Sequence, residues 1–477
     1  MDNPAVVDFE KNVAKALGDQ QLRKNLKSAM DSLSLKRRAV FPDKDELEKL
    51  RTIGNAIRKR SLHKLPELLE KLEKKCTENG IQVHWAETTA DANRIVFDII
   101  KRHGASRVVK GKSMVSEEMH LNHFLEENSV EALETDLGEY IIQLDHETPS
   151  HIIVPAIHKN KDQIAHLFHD KIPGTPYTEV VEELNAIARK TLRQKFFAGE
   201  IGISGVNFAV AETGTLCLVE NEGNGRLCTT LPPVHIAVMG LEKVVERLQD
   251  VPPLLRLLTG SATGQVITTY FNMITSPRKA GEKDGPKEVH LIILDNGRSR
   301  ILADPELRET LHCIRCGACL NHCPVYTRLG GHAYGYVYPG PIGSILTPQM
   351  EGLDKAGALA SASSLCGACE EVCPVKIPFT QILRLLRDES YAPTDSPHAV
   401  KGHGYRQNLA ESLAWKGWKV MNTVPILNAV STKMLGLFGA NLPNVGPLQQ
   451  WTSVRTAPKF AKKSLHVLAK EKGLDDE

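Results

Sequence analysis

Leucine and alanine recur three and four positions apart from Asp8 to about Lys75, with lysine and glutamate between them and few glycines, so the spacing predicts helix throughout. Pro42, within Ala39 to Asp45, predicts a break between two helices. Such helices suit either an oligomerisation arm or a cover on the next domain. From Gly80 the period changes. Ile81 to Glu87 alternates as a strand does, Thr89 to His103 reads as an amphipathic helix, and SRVVKGKSM reads as a second strand running into a turn, a βαβ unit. Further strands are predicted at Ser150 to Ile157, Val206 to Val210, Thr215 to Glu220, His235 to Met239 and Val289 to Leu294, with a helix from Thr178 to Phe197. The alternation predicts an α/β domain with a largely parallel sheet over residues 70–298, after a helical N-terminal segment at 1–69.

The loop SPRKAGEKDGPKE precedes the last strand, and Asn296-Gly297-Arg298 marks the exit from the domain. Residues 300–392 then predict helical LHCIRC, the glycine-rich GGHAYGYVYPGPIGS, and helical IPFTQILRLLRDES, whose Ile382, Leu383, Leu385 and Leu386 are expected to pack against the core of this region. Residues 395–477 predict a helical C-terminal subdomain. It contains Trp415, Trp418 and Trp451, with Lys459, Lys462 and Lys463 nearby. Clustered aromatics flanked by lysines can mark a docking surface. A small helical subdomain packing its tryptophans on the cluster domain is the expectation favoured here, because aromatics are mostly core.

At about 150 residues per domain, 477 residues suggest three domains. Lys plus Arg (59) nearly balances Asp plus Glu (57), and a net charge of +2 argues against nucleic-acid binding. No apolar run approaches the roughly 20 residues of a membrane-spanning helix, which leaves only peripheral membrane contact or contact through another subunit. Asp2, Asp8 and Glu10 stand where a secretory signal would be basic and then apolar, so a reduced cytoplasm is expected.

Seven of the ten cysteines fall in two runs, Cys313-x2-Cys316-x2-Cys319-x3-Cys323-Pro324 and Cys366-x2-Cys369-x3-Cys373-Pro374. This is an iron–sulfur pattern. Cysteines three apart offer three thiolates to one cluster from one turn, while the cysteine before proline serves the other cluster, as in two-cluster ferredoxins. Cys313, Cys316, Cys319 and Cys373 are thus expected to hold one 4Fe-4S cluster, and Cys323, Cys366 and Cys369 to supply three ligands to a second. Three residues before Cys366, a regular motif would have a cysteine where this chain has Ser363. Either the serine, water or a partner completes that site, or it holds a 3Fe-4S cluster. Zinc prefers paired clips totalling four ligands, which fits seven cysteines poorly, and disulfides need an oxidising compartment. The remaining Cys76, Cys217 and Cys228 are expected to be packing residues.

Two other segments carry candidate chemistry. GISGVNFAVAETGTLCLVENEGNGRL, from Gly202 to Leu227, could line a pocket for an anionic or carbonyl ligand, or be turn chemistry with Glu212-Thr213-Gly214 capping a strand pair. In VVKGKSMVSEE a strand enters a turn and a helix starts at Ser113 or Ser116, flanked by Lys110 and Lys112; that suits an anion or an ordinary capped helix, and the Walker spacing is absent. His120, His123 and His235 show no metal spacing.

KGKSMVSEE and AETGTL…NEGNGR, followed by CIRCGACLNHCPVY and LCGACEEVCPVKIP, resemble the lactate utilization protein B family over nearly the whole chain. The resemblance implies an α/β lactate-utilization domain similar in fold to sugar-phosphate isomerases and CoA transferases (NagB/RpiA/CoA-transferase-like), followed by an α-helical two-cluster ferredoxin domain. It implies the same two ligand sets, with three cysteines at the second cluster as a family trait. It further implies a non-catalytic electron carrier in oxidation of L-lactate to pyruvate, beside a cysteine-rich A-type partner and a C-type partner with a related α/β domain. A catalytic hydroxy-acid oxidoreductase using Glu212, Asn221 or Asn224 is the alternative; no G-x-G-x-x-G nucleotide fingerprint supports it. A non-catalytic scaffold is the third reading.

Overall fold

Ten strands are found among the described residues: β1 Gln82–Ala86, β2 Arg107–Lys110, β3 Glu131–Glu134, β4 Ile201–Gly205, β5 Phe208–Val210, β6 Thr215–Glu220, β7 Val234–Gly240, β8 Val244–Val245, β9 Tyr270–Ile274 and β10 Glu288–Leu294. The computed structural model, which describes residues 9–391, 409–438, 449, 452, 456 and 461–473, arranges six of them as one sheet in the order β1-β10-β7-β4-β2-β3. Every pairing in it is parallel. β7 and the core of β10 are buried on both faces, which is why they read as continuous apolar runs rather than alternating ones. A second sheet, β8-β5-β6-β9, is mixed.

The chain divides into two units, Met1–Tyr405 and Arg406–Glu477. In the first, the N-terminal stretch forms α1 Phe9–Gly18, α2 Gln20–Val40, α3 Lys44–His63 and α4 Leu65–Glu78. The break at Pro42 lies where expected, and Asp43 caps α3 by accepting from the Asp45 and Glu46 amides. Breaks at Asp19 and Lys64 add two more. Of the two roles left open for these helices, α3 acts as a cover. Its Gly54 lies against Leu257, Pro374 and Val375 so closely that an added Cβ would sit 2.5 Å from Leu257.

The cysteine region shares one hydrophobic core with α2, α3 and the helix Val251–Ala262. Ile382, Leu383 and Leu386, on the helix Phe379–Tyr391, are fully buried in it and Leu385 packs at its edge, as expected. Each buried side chain of this size contributes about 1.5–3 kcal/mol.

Two predicted elements are corrected. Ser150 to Ile157 is not a strand: the imidazole of His151 accepts from the Ile153 and Val154 amides, and the Ser150 amide donates to Pro155, so these groups are satisfied locally. LHCIRC is not helical through its cysteines: a 3-10 turn spans Arg308–His312, and the chain then opens into a loop. In the second unit the helices Leu409–Thr423, Pro425–Phe438 and Leu465–Glu471 are described. Trp415 and Trp418 meet edge to face at 5.8 Å and are not buried by the helices of their own unit. Trp451 and Lys459 lie outside the described residues.

Candidate metal centres and an adjoining cavity

The two cysteine runs fold into the same backbone form. Arg315 (φ 60°) and Leu365 (φ 55°) are both left-handed, as are Gly317 and Gly367, and each glycine starts a short helix, Ala318–His322 or Ala368–Val372. A left-handed non-glycine residue costs roughly 1–2 kcal/mol, so its recurrence at equivalent positions marks a loop that must curl. Equivalence extends to the residue that differs. The Arg315 amide points at Cys313 Sγ (3.4 Å), and the Leu365 amide points at Ser363 Oγ (3.1 Å). Ser363 therefore occupies the position of Cys313.

Each loop closes around a void that takes its last cysteine from the other run. Cys313, Cys316, Cys319 and Cys373 line one void, together with Ile152, Ile342 and Phe379. Cys323, Cys366 and Cys369 line the other, with Ser363, Ser364 and Thr380. All ten cysteines are free. Burial pushes the thiols of Cys316, Cys319 and Cys323 up, Cys373 to about 11 and Cys369 to about 12; neighbouring cysteines add to the shift. Converging thiolates in a buried void are stable only against a cationic centre, so this donor set fits an iron–sulfur cluster. The Tyr326 amide to Cys323 and the Ile377 amide to Cys373, both at 3.4 Å, direct N–H groups at sulfur.

Charge around the first void is built in. From α3, Arg51 donates to the Cys373 carbonyl (2.9 Å) and Asn55 to the Val375 carbonyl (2.8 Å). Arg58, 2% exposed, donates to the carbonyls of His312, Leu311, Val244 and Glu242. Burial lowers Arg58 to about 10, partly offset by Glu242 and Cys313. Glu242 accepts from Arg298 (2.7 Å) and from Arg315 (3.3 Å), and the Arg315 guanidinium lies 4.8 Å from the Tyr338 ring centroid. Arg298 in turn forks onto Glu118 at 2.8 and 2.7 Å, and Tyr338 donates to the same carboxylate. Burial opposes the negative charge of Glu242, yet Arg298 and Arg315 hold it down at about 2.

Beside the first void is a cavity of about 410 Å³, a volume typical of small-molecule sites. It opens at the C-terminal ends of the adjacent parallel strands β2, β4 and β7, where α/β sheets place ligands. The two segments singled out in the sequence meet here: Lys112 and Ser113 from one, Asn207, Asn221 and Asn224 from the other. Ile152 and Arg315 line both this cavity and the first thiol void. Gly202 shows why β4 is obscured in sequence. An added Cβ there would lie 1.8 Å from the Cys228 carbonyl oxygen, so glycine is required by the helix Asn224–Thr230 packed on it, although it weakens the strand pattern.

Several expectations change. Lys110 is fully buried between Glu117 (2.9 Å) and Glu134 (2.6 Å) and so is not free for an anion. Glu212 is outside the cavity lining and accepts from the Leu248 amide. Ser113 rather than Ser116 caps the helix Met114–Glu118. Cys76, Cys217 and Cys228 are buried packing residues, as expected. Lys243, Arg315 and Tyr338 were not foreseen in the cavity; their only signal was the placement of Arg315 inside a cysteine motif.

Comparison with known proteins matches three stretches of the chain. Residues 69–294 match the LUD domain, residues 309–377 a 4Fe-4S dicluster domain, and residues 385–474 the family described as lactate utilisation protein B, C-terminal. Lactate utilization protein B of Shouchella clausii is 42% identical over 462 residues, covering 95% of this chain and 94% of its own length. The uncharacterized electron transport protein YkgF of Escherichia coli is 43% identical over 95% of this chain and 94% of its own. Lactate utilization protein B of Bacillus subtilis is 40% identical over 94% and 93%. Among the described residues, no helix is long and apolar enough to cross a membrane.

Proposed function

We propose that this chain, which belongs to the lactate utilization protein B family, carries electrons released when L-lactate is oxidised to pyruvate. The observation that carries the reading is the pair of voids with crossed cysteine sets. In this reading Cys313, Cys316, Cys319 and Cys373 hold one 4Fe-4S cluster and Cys323, Cys366 and Cys369 hold a second. Such clusters, when bound, take up and release single electrons. The chain's own residues set the conditions. Amides from Tyr326 and Ile377 hydrogen-bond sulfur, α3 shields the Cys373 loop from water, and Ser363 Oγ faces the position that the second set leaves open.

The division at residues 1–69, 70–298, 300–392 and 395–477 follows from the same reading, with the sheet belonging to the CoA-transferase-like type. The natural partners are companion lactate utilization proteins, a cysteine-rich A-type and a C-type with a related α/β domain, in the cytoplasm. Growth on L-lactate of a host lacking its own copy tests the role. A carrier requires Cys316, so Cys316→Ala should abolish growth while the soluble protein accumulates; growth at the wild-type rate would favour a scaffold.

A further inference from the structure

The cavity beside the first thiol void holds two buried cations with unused donors. Lys243 and Arg315 are each 7% exposed and both line it. Among the described residues, Lys243 Nζ has no hydrogen-bond or ion-pair partner, and Arg315 Nη1 is buried with none. Glu242, the carboxylate that faces Arg315, is already shared with Arg298. A buried donor such as Arg315 Nη1 is costly to leave unpaired unless something meets it. The thiolates of the first void can meet Arg315, which lines that void as well. Lys243 feels Glu242 and Cys313 electrostatically but hydrogen-bonds neither, and it lines the cavity and not the void.

The remaining wall narrows the ligand. Ile152, Val154, Leu258 and Met114 give the lining apolar surface. Asn224, 8% exposed and also in the lining, makes no side-chain hydrogen bond among the described residues, and the Asn207 amide nitrogen is likewise unused. Asp136, Glu220 and Glu222 also lie in the lining, and they disfavour a dianion such as phosphate. We propose that this cavity binds a small organic carboxylate, with its carboxyl group on Lys243 and Arg315 and its apolar body against Ile152 and Leu258. Because Arg315 also lines the thiol void, occupancy of the cavity is coupled to the charge of that void.

The binding claim stands on the cavity alone; the coupling rests on the cluster reading above. Calorimetric titration of the full chain, with iron content assayed on the same sample, separates them. The probes are L-lactate, pyruvate and 2-hydroxybutyrate, with inorganic phosphate as the dianion. At least one carboxylate is expected to bind one to one and more tightly than phosphate. Lys243→Gln should weaken it at least about tenfold, the loss of one charge-assisted pair, with circular dichroism and iron content unchanged. An anion favours the oxidised, less negative centre, so saturating carboxylate should lower the potential of the first cluster; a tenfold preference corresponds to about 59 mV. No saturable binding to an iron-loaded chain, phosphate binding as tightly as the carboxylates, or unchanged affinity in Lys243→Gln would each overturn the site while leaving the clusters intact. Binding without any shift in potential would overturn the coupling. A chain that takes up no iron yet binds the carboxylate would overturn the cluster reading instead.

Discussion

The loops at Cys313 to Cys323 and Ser363 to Cys373 share a backbone and differ in their surroundings. Both use a left-handed residue before the second position, a left-handed glycine after it and a five-residue helix. At the first, the residue before that position is a buried arginine, α3 lies across the Cys373 loop, and the four cysteines are at most 9% exposed. At the second, the equivalent residue is leucine, the first cysteine is replaced by Ser363, and Cys366 is exposed. In the cluster reading proposed above, the shared backbone form is that of a loop curled around a centre. Enclosure and charge are set by what packs outside it. The first cysteine set is enclosed among buried cations, and the second leaves Cys366 at the surface while Cys323 and Cys369 stay buried.

The largest effect expected from this comparison comes from crossing. Cys373 sits in the second run but lines the first void. Cys373→Ala should remove the signal of the better enclosed cluster, about half of the iron, and spare the second. Loss of the second signal alone would show that runs, not voids, define the sites. Next in size is Arg58→Met. It leaves four carbonyls without their shared donor, and unfolding by denaturant should show a loss of about 3 kcal/mol or more. A loss below about 1 kcal/mol would mean that the enclosure is not structural.

Exposure separates the two sites more gently. Air oxidation should release iron first from the second site, and Ser363→Cys, which restores the fourth thiol, should slow that release several-fold. Equal loss from both sites in the wild type would remove the distinction. The smallest effect concerns the sheet, which serves as a reference outside both loops. His235, hydrogen-bonded to Ser204 at 2.8 Å, is lowered by burial to about 3, and His290 by burial and then by His84 to about 4. Below their ordinary value of 6.5 the unfolded chain binds the protons that the folded sheet refuses. Stability is therefore lost as pH falls from 6.5 toward 4, by at most about 1.4 kcal/mol per pH unit for each histidine, and is insensitive to them above it. Urea unfolding between pH 8 and 5 should show a shallower slope for His235→Gln than for the wild type.

The central strands and both cysteine runs were legible because each carries a local signal, either an apolar run or a fixed spacing. β4 was missed, since Gly202 and Gly205 answer to a neighbouring helix and to Ser113 rather than to strand propensity. β3, β8 and β9 are short or weakly patterned edges of their pairings. The segment at Ser150 looked like a strand by its apolar residues, and the side chain that diverts its amides, His151, gives no pattern. The cavity was half legible: its asparagines and glycines stand out in sequence, while Lys243 and Arg315 become neighbours only when the cysteine loop docks on the sheet.

Iron and acid-labile sulfide content, with EPR of the anaerobically reduced chain, tests the crossed two-centre arrangement most directly. About eight irons with two interacting signals is the result this structure predicts, and about seven would mean a 3Fe-4S centre beside Ser363. About one iron or none, with no signal, would contradict it.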